Sequence, residues 1–190
     1  MGIFSQLTSV LGLGKKQVNI LVVGLDNSGK STILNYMKPS EVQSTHLVPT
    51  VGFNIDKFTS NRLNFVAFDM SGQGRYRNLW ETYYKETEAI VFVVDSSDHL
   101  RIAVARDELW LMLDHKDLAT KQIPLLIFAN KMDEKGSLVA SEVSRYMGLD
   151  LIRNRNWYIC ASCAITGEGL PQGFEWLAQN VRNECKKQNF

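Results

Sequence analysis

No charge of one sign predominates in this chain. Lysine and arginine together number 21 and aspartate and glutamate 20, for a net charge of +1. A broad nucleic-acid surface needs a clear basic excess, so none is expected. No apolar run approaches the roughly 18 residues that would span a bilayer. The first residues lack a basic head and a continuous apolar segment, so no secretory signal is expected either. Cysteine is scarce: an odd count of 3 argues against a disulfide framework and for a reducing compartment. There is no internal repeat, no low-complexity tract and no interdomain linker. These absences point to a cytoplasmic protein of one globular domain.

What is present supports a sizeable core, since 45% of the 190 residues are hydrophobic. The runs VNILVVG (18–24), AIVFVVD (89–95), PLLIFAN (124–130) and WYICAS (157–162) are short and apolar, and read as buried strands. Helical patterns lie between them. Ile102, Ala105, Leu109, Met112 and Leu113 form one, and Leu170, Phe174, Leu177 and Val181 form the last. Alternation of this kind predicts parallel βαβ units in a doubly wound α/β sheet. VGFNIDKF (51–58) and LNFVAFD (63–69), joined by TSNR, instead predict a hairpin with one antiparallel strand.

GLDNSGKS (24–31) follows the first strand and precedes the helical STILNYM. Its G-x-x-x-x-G-K-[ST] spacing turns backbone N–H groups toward phosphate oxygens. Gly24 and Gly29 permit the bend, and the helix N-terminus adds partial positive charge. Asp26, Asn27, Ser28 and Thr32 complete the candidate phosphate-binding set. Lys30 would reach the β- and γ-phosphates, and the Ser31 hydroxyl would ligate Mg²⁺. NKMD (130–133) then chooses the base. Asp133 can accept two hydrogen bonds from guanine, whereas adenine offers no such donor pair on that edge. Asn130 can bridge to the phosphate loop and the Lys131 stem can cover the ring. ASCAITG (161–167) adds Ser162, Cys163 and Ala164, with a backbone N–H near Ala164 for the guanine O6. The expected ligands are GTP or GDP with Mg²⁺.

DMSGQG (69–74) ends a strand. Asp69 is placed to hold the metal through water, Gly72 to bring its N–H to a γ-phosphate, and Gln73 to orient an attacking water. Thr50, in PTVGF, would join the metal shell only with a γ-phosphate present, which makes its loop a trigger.

Together GLDNSGKST, PTVGF, DMSGQGRYRNLW, NKMD and CASCAITGEGL resemble an Arf-family small GTPase across nearly the whole chain. The resemblance implies a Ras-like P-loop GTPase fold: a six-stranded, mostly parallel sheet with one antiparallel strand and helices on both faces. It also implies an N-terminal amphipathic helix and linker (1–16) ahead of a GTPase domain (17–190). DMSGQGRYRNLWETYYKE, with Ser71 where most Arf proteins have glycine, resembles the branch that recruits the BBSome coat to ciliary membranes. A BBSome-like coat, an exchange factor, a GTPase-activating protein and a location at the cilium or basal body are implied with it. Phe68 stands where the family usually carries a tryptophan, in an exposed aromatic triad with the equivalents of Phe53 and Tyr83. The myristoylation pattern M-G-x-x-x-[ST] is not met, because position 6 is glutamine.

In Arf-type proteins the N-terminal helix leaves the GDP-bound body for a membrane when GTP binds. Here Ile3, Phe4, Leu7, Val10 and Leu11 would form its buried face. Burying a large side chain yields roughly 1.5–3 kcal/mol, and ordering each backbone residue costs about 1–2 kcal/mol. Membrane binding through this helix alone is therefore expected to be weak and reversible. The alternative is a helix permanently packed on the core.

The stretch 38–49 leaves no room for a helical insert that would deliver an arginine finger, so hydrolysis is expected to be slow. An arginine supplied in trans would add about 10³–10⁵ in rate. Asp26, a carboxylate beside the phosphates, leaves open a second reading: a GTP-dependent binding module with negligible hydrolysis, controlled by exchange alone. Cys160 and Cys163 lack two further metal ligands and read as a core and a loop residue. Arg75 and Arg77 divide evenly between partner contact and solvent, and Trp80 and Trp176 read as core.

Overall fold

The computed structural model describes residues 17–187. The candidate membrane helix, with Ile3, Phe4, Leu7, Val10 and Leu11, lies outside them. Six strands form one sheet: β1 Gln17–Val23, β2 Phe53–Ser60, β3 Leu63–Met70, β4 Ala89–Asp95, β5 Leu125–Asn130 and β6 Trp157–Ser162. Their order is β2-β3-β1-β4-β5-β6. β2 pairs antiparallel with β3, and every other pairing is parallel. The helices are α1 Lys30–Met37, α2 Ile102–Leu113, α3 Lys116–Ala119, α4 Ala140–Met147 and α5 Leu170–Lys187. Three 3₁₀ segments, at Ser40–Val42, Gly74–Tyr83 and Leu149–Leu151, fill connections.

Strand alternation feeds two separate cores. Leu126 and Phe128 of β5 pack toward α1 and α5, among Ile33, Leu34, Phe174 and Leu177. Leu125, Ile127 and Ala129 face the other way, among Leu109 of α2 and Val143 and Met147 of α4. The helical patterns read from the sequence are these buried stripes: Ile102, Ala105, Leu109, Met112 and Leu113 on α2, and Leu170, Phe174, Leu177 and Val181 on α5.

Three expectations need correction. The hairpin turn is not the four residues TSNR. β2 runs on to Ser60, and only Asn61 and Arg62 turn, with φ of 49° and 64°. Two left-handed residues match the twist of the flanking strands, which is what a two-residue hairpin requires. β6 is not a buried strand. As the last strand of the sheet it is half-buried, and Tyr158 is exposed and stacked on a partly buried Trp176 at 5.5 Å. Phe68 does not belong to an exposed triad. Its ring meets Tyr83 at 4.7 Å and Tyr83 meets Phe53 at 5.2 Å, but Phe68 is only 7% exposed against 40% for Phe53. Lying beneath Tyr83 on an inner strand, it is part of the core. Trp80 is core as expected, Cys163 is a buried loop residue, and Cys160 is half-buried.

Candidate functional site

Strand register gathers the candidate residues at the carboxyl ends of the strands, where open α/β sheets bind ligands. Asp69 of β3 stands opposite Val22 of β1, two residues before the phosphate loop begins at Gly24. Asp95, Asn130 and Ser162 stand opposite one another across β4, β5 and β6.

The phosphate loop bends through φ values of 137° at Gly24, 61° at Asn27 and 97° at Gly29. A Cβ at Gly24 would lie 2.2 Å from the Val93 carbonyl oxygen, so only glycine fits there. Lys30 Nζ donates to the carbonyls of Leu25 at 2.7 Å and Gly24 at 3.1 Å. Burial pulls its pKa down to about 8, against the opposing pull of Asp69 and Asp26. The Asp26 carboxylate is paired: Arg101, at the start of α2, holds it at 3.1 Å and also pairs with Asp98 at 2.6 Å.

Three oxygen-bearing side chains converge beside Lys30. Ser31 Oγ donates to Asp69 Oδ2 at 2.6 Å, Thr50 Oγ1 donates to the same oxygen at 3.2 Å, and the two hydroxyls are 2.9 Å apart. Burial raises the Asp69 pKa, opposed by the bonds from Ser31 and Thr50 and by the charge of Lys30. Its second oxygen, Oδ1, is buried with no hydrogen-bond partner. Two hydroxyls and a carboxylate are the hard oxygen donors that Mg²⁺ takes, and an orphaned buried carboxylate oxygen is a position where a hydrated cation fits. A cleft of about 320 Å³ opens over this cluster, with Asp26, Asn27, Gly29, Lys30, Ser31, Thr32, Thr50, Gly72 and Gln73 in its walls.

Gly72 closes one side. A Cβ there would lie 2.2 Å from the Asp26 backbone nitrogen, so the absent side chain lets the DMSGQG loop rest directly on the phosphate loop. Gln73 is partly exposed at the cleft wall, its Oε1 accepting from Arg75 Nε at 3.2 Å.

The base-side residues lie apart from that cleft, and Asn130 ties them together. Its Nδ2 donates to the Ser28 carbonyl at 2.8 Å, which joins β5 to the phosphate loop. Its Oδ1 accepts from Ala164 N–H at 3.0 Å and from Ser162 Oγ at 3.2 Å. The Ala164 N–H expected to face guanine O6 thus bonds to Asn130 here, and the Cys163 N–H bonds to the Glu168 carbonyl. Asp133 is exposed. Lys131, at φ 65°, pairs with Asp95 at 2.6 Å. Burial works to raise the Asp95 pKa, but hydrogen bonds from Lys131 and Ser97 hold it below the usual carboxylate value.

The sequence reading missed Asp95 and Arg101, the two residues that orient Lys131 and Asp26. Each acts across the sheet edge from another strand or helix, and no local motif marks it. Among the described residues no cluster of histidine, cysteine, aspartate and glutamate forms a further metal site.

Known proteins match this chain over most of its length. The model of the ADP-ribosylation factor (Arf) family matches residues 4–181. The chain belongs to the Arf family. It is a small GTPase, a guanine-nucleotide-binding hydrolase of GTP. Among its Arf-family relatives, ADP-ribosylation factor-like protein 6 of Danio rerio is 55% identical over 182 residues, covering 96% of this chain and 98% of the relative. The protein of that name in Caenorhabditis elegans is 48% identical over 181 residues, covering 95% of each. The solved structure of the Arl6 BBS3 small GTPase from Trypanosoma brucei, with the nucleotide analogue GppNp bound, superposes with a TM-score of 0.82 at 40% identity. That match covers 88% of this chain and 99% of the other. This chain is thus an Arl6-like member of the Arf family, and no helix among its described residues is long and apolar enough to cross a membrane.

Proposed function

We propose that this Arl6-like GTPase is a membrane-recruitment switch, read through the meeting of Ser31, Thr50 and Asp69. Thr50 belongs to a connection rather than to the sheet, and side-chain hydrogen bonds to Ser31 and Asp69 hold it beside the cleft. Ser31 and Asp69 would hold Mg²⁺, Asp69 through water, with Thr50 completing the shell when a γ-phosphate is present. Bound there, the ion would neutralise charge on the β- and γ-phosphates. Lys30 neutralises the same phosphates, the loop N–H groups orient them, and Gly72 brings its N–H to the γ-phosphate. Gln73 orients the attacking water. Asn130 and Lys131 frame the base, Asp133 selects guanine, and the Ser162–Ala164 loop closes its far side.

Hydrolysis is slow without a partner's arginine, because no described arginine lines the cleft. The pairing of Asp26 with Arg101 offsets the carboxylate's charge beside the phosphates and supports the hydrolysing switch over a binding module controlled by exchange alone. In the GTP state residues 1–16, as an amphipathic helix and linker, engage a membrane surface at the cilium or basal body, and the GTPase domain (17–190) recruits a BBSome-like coat as a monomer. Likeness to the Arl6 relatives supports that partner. So does the row of exposed apolar residues Val48, Val51, Phe53 and Ile55 leading into the edge strand β2. An exchange factor and a GTPase-activating protein set the two rates.

The test is liposome co-sedimentation of the full chain with GTPγS and with GDP, with and without residues 1–14, alongside single-turnover hydrolysis of the wild type and Gln73→Leu. GTPγS-selective binding lost on truncation, with slow hydrolysis slowed further by Gln73→Leu, is expected. Equal sedimentation in both states would refute the membrane switch, and unchanged hydrolysis would remove the role of Gln73.

A further inference from the structure

Arg77 sits in the 3₁₀ segment Gly74–Tyr83, a position the sequence divided evenly between partner contact and solvent. In the structure its guanidinium is engaged on two sides. Nε donates to the Gly72 carbonyl at 3.2 Å, and Nη1 pairs with Glu108 of α2. Both side chains are about four-fifths buried, at 21% and 22% exposure.

Glu108 is a firm anchor, because α2 is seated on the sheet by Ile102, Ala105, Leu109 and Met112. Gly72, at the other end of the clasp, lies against the Asp26 and Leu25 backbone. The preceding residue is held independently: the Ser71 N–H donates to the Gly52 carbonyl at 2.9 Å and Trp80 Nε1 donates to the Ser71 carbonyl at 3.1 Å. The Gly72 carbonyl belongs to the peptide that leads into Gln73, so its orientation sets where Gln73 begins. A planar guanidinium can offer Nε to a carbonyl and Nη to a carboxylate at once, and a lysine ammonium cannot hold both in one plane.

We infer that Arg77 is a positioning residue for the γ-phosphate end of the site. Braced by Glu108, it fixes the Gly72–Gln73 peptide, while Trp80 holds the Ser71–Gly72 peptide that carries the Gly72 N–H, and the two together keep Gly72 and Gln73 where the terminal phosphate is met. The inference rests on the switch reading above and adds to it a residue through which helix α2 supports discrimination between GTP and GDP.

The experiment compares full-length wild type, Arg77→Lys, Arg77→Ala and Glu108→Gln with Mg²⁺ present. Affinities for fluorescent GDP and for a non-hydrolysable GTP analogue are measured, with single-turnover hydrolysis and thermal unfolding of the GDP-bound form. Arg77→Ala and Arg77→Lys should lose about tenfold in analogue affinity and in hydrolysis, the size of one charge-assisted hydrogen bond. Glu108→Gln should lose less. GDP affinity and unfolding temperature should stay near the wild type. An unchanged analogue-to-GDP ratio, equal losses for both nucleotides, or full rescue by Arg77→Lys would overturn the assignment. A wild type that fails to distinguish the two nucleotides or to hydrolyse GTP would refute the underlying reading itself.

Discussion

Ser31 and Asp69, 38 residues apart in the chain, meet through a 2.6 Å hydrogen bond that joins the first turn of α1 to the end of β3. Thr50 completes the triangle from a third segment. The outcome is a compact oxygen cluster from three parts of the sequence, with Asp69 Oδ1 still without a partner.

Chelating divalent cations should therefore speed GDP release from the wild type. Asp69→Asn keeps the size of the side chain and removes the charge. Its GDP release should be fast with or without Mg²⁺, with the cation's effect cut by about tenfold or more, in line with loss of a charged contact. Stopped-flow release of a fluorescent GDP checks this. Retention of the full Mg²⁺ effect by Asp69→Asn would exclude the carboxylate from the metal site.

Asn130 and Asp133 should separate stability from base choice, although both belong to one motif. Asn130 is 1% exposed, and Asn130→Ala would strand the Ala164 N–H and the Ser28 carbonyl. A cost of about 2–4 kcal/mol is expected from two unpaired buried groups, visible as a lower denaturation midpoint. Asp133 is exposed, so Asp133→Asn should leave that midpoint unchanged while weakening GDP and improving xanthosine diphosphate, whose O2 accepts where guanine donates. Equal stability losses from the two variants would contradict this division.

Asp95 links stability to acid. Its carboxyl is held below the ordinary value by Lys131 and Ser97, so the unfolded chain takes up a proton before the folded one does as pH falls. Its contribution is present in full above the usual carboxylate range and is lost as pH drops through the depressed folded pKa. Asp95→Asn should be about 1–2 kcal/mol less stable at pH 7. The gap should narrow only below about pH 4. Urea titrations at several pH values measure both, and a gap that widens on acidification would show the wrong sign.

Gly72→Ala should act on the triphosphate state. The added methyl would meet the Asp26 nitrogen and the Leu25 carbonyl carbon at 2.2 Å, both backbone atoms that cannot swing aside. The loop must retreat, which should leave GDP binding within about twofold and lower GTP-analogue affinity by more than about tenfold. Calorimetric titration with each nucleotide gives the ratio. Equal affinities for both in the variant and the wild type would mean that Gly72 need not approach the phosphate loop.

The motifs were legible before the fold because each is a short run of fixed spacing, although Ser31, Thr50 and Asp69 meet only in the folded chain. The Gly24–Ser31 loop bends on its own glycines, and the helical stripes of α2 and α5 follow from a 3.6-residue period. The β6 strand was misread for the opposite reason. Its apolar run resembles that of β5, and only its place at the sheet edge leaves Tyr158 outside.

The sequence by itself determined the family and its GTPase activity, because the motifs that carry them are written in local spacing, and it named the side chains proposed to serve that activity. Tertiary structure alone decided what those side chains touch. Arg101 pairs with Asp26, Asp95 anchors Lys131, Arg77 clasps Gly72 to Glu108, and Tyr83 covers Phe68. Such contacts depend on strand order and register, which bring distant segments together, and local sequence does not encode them.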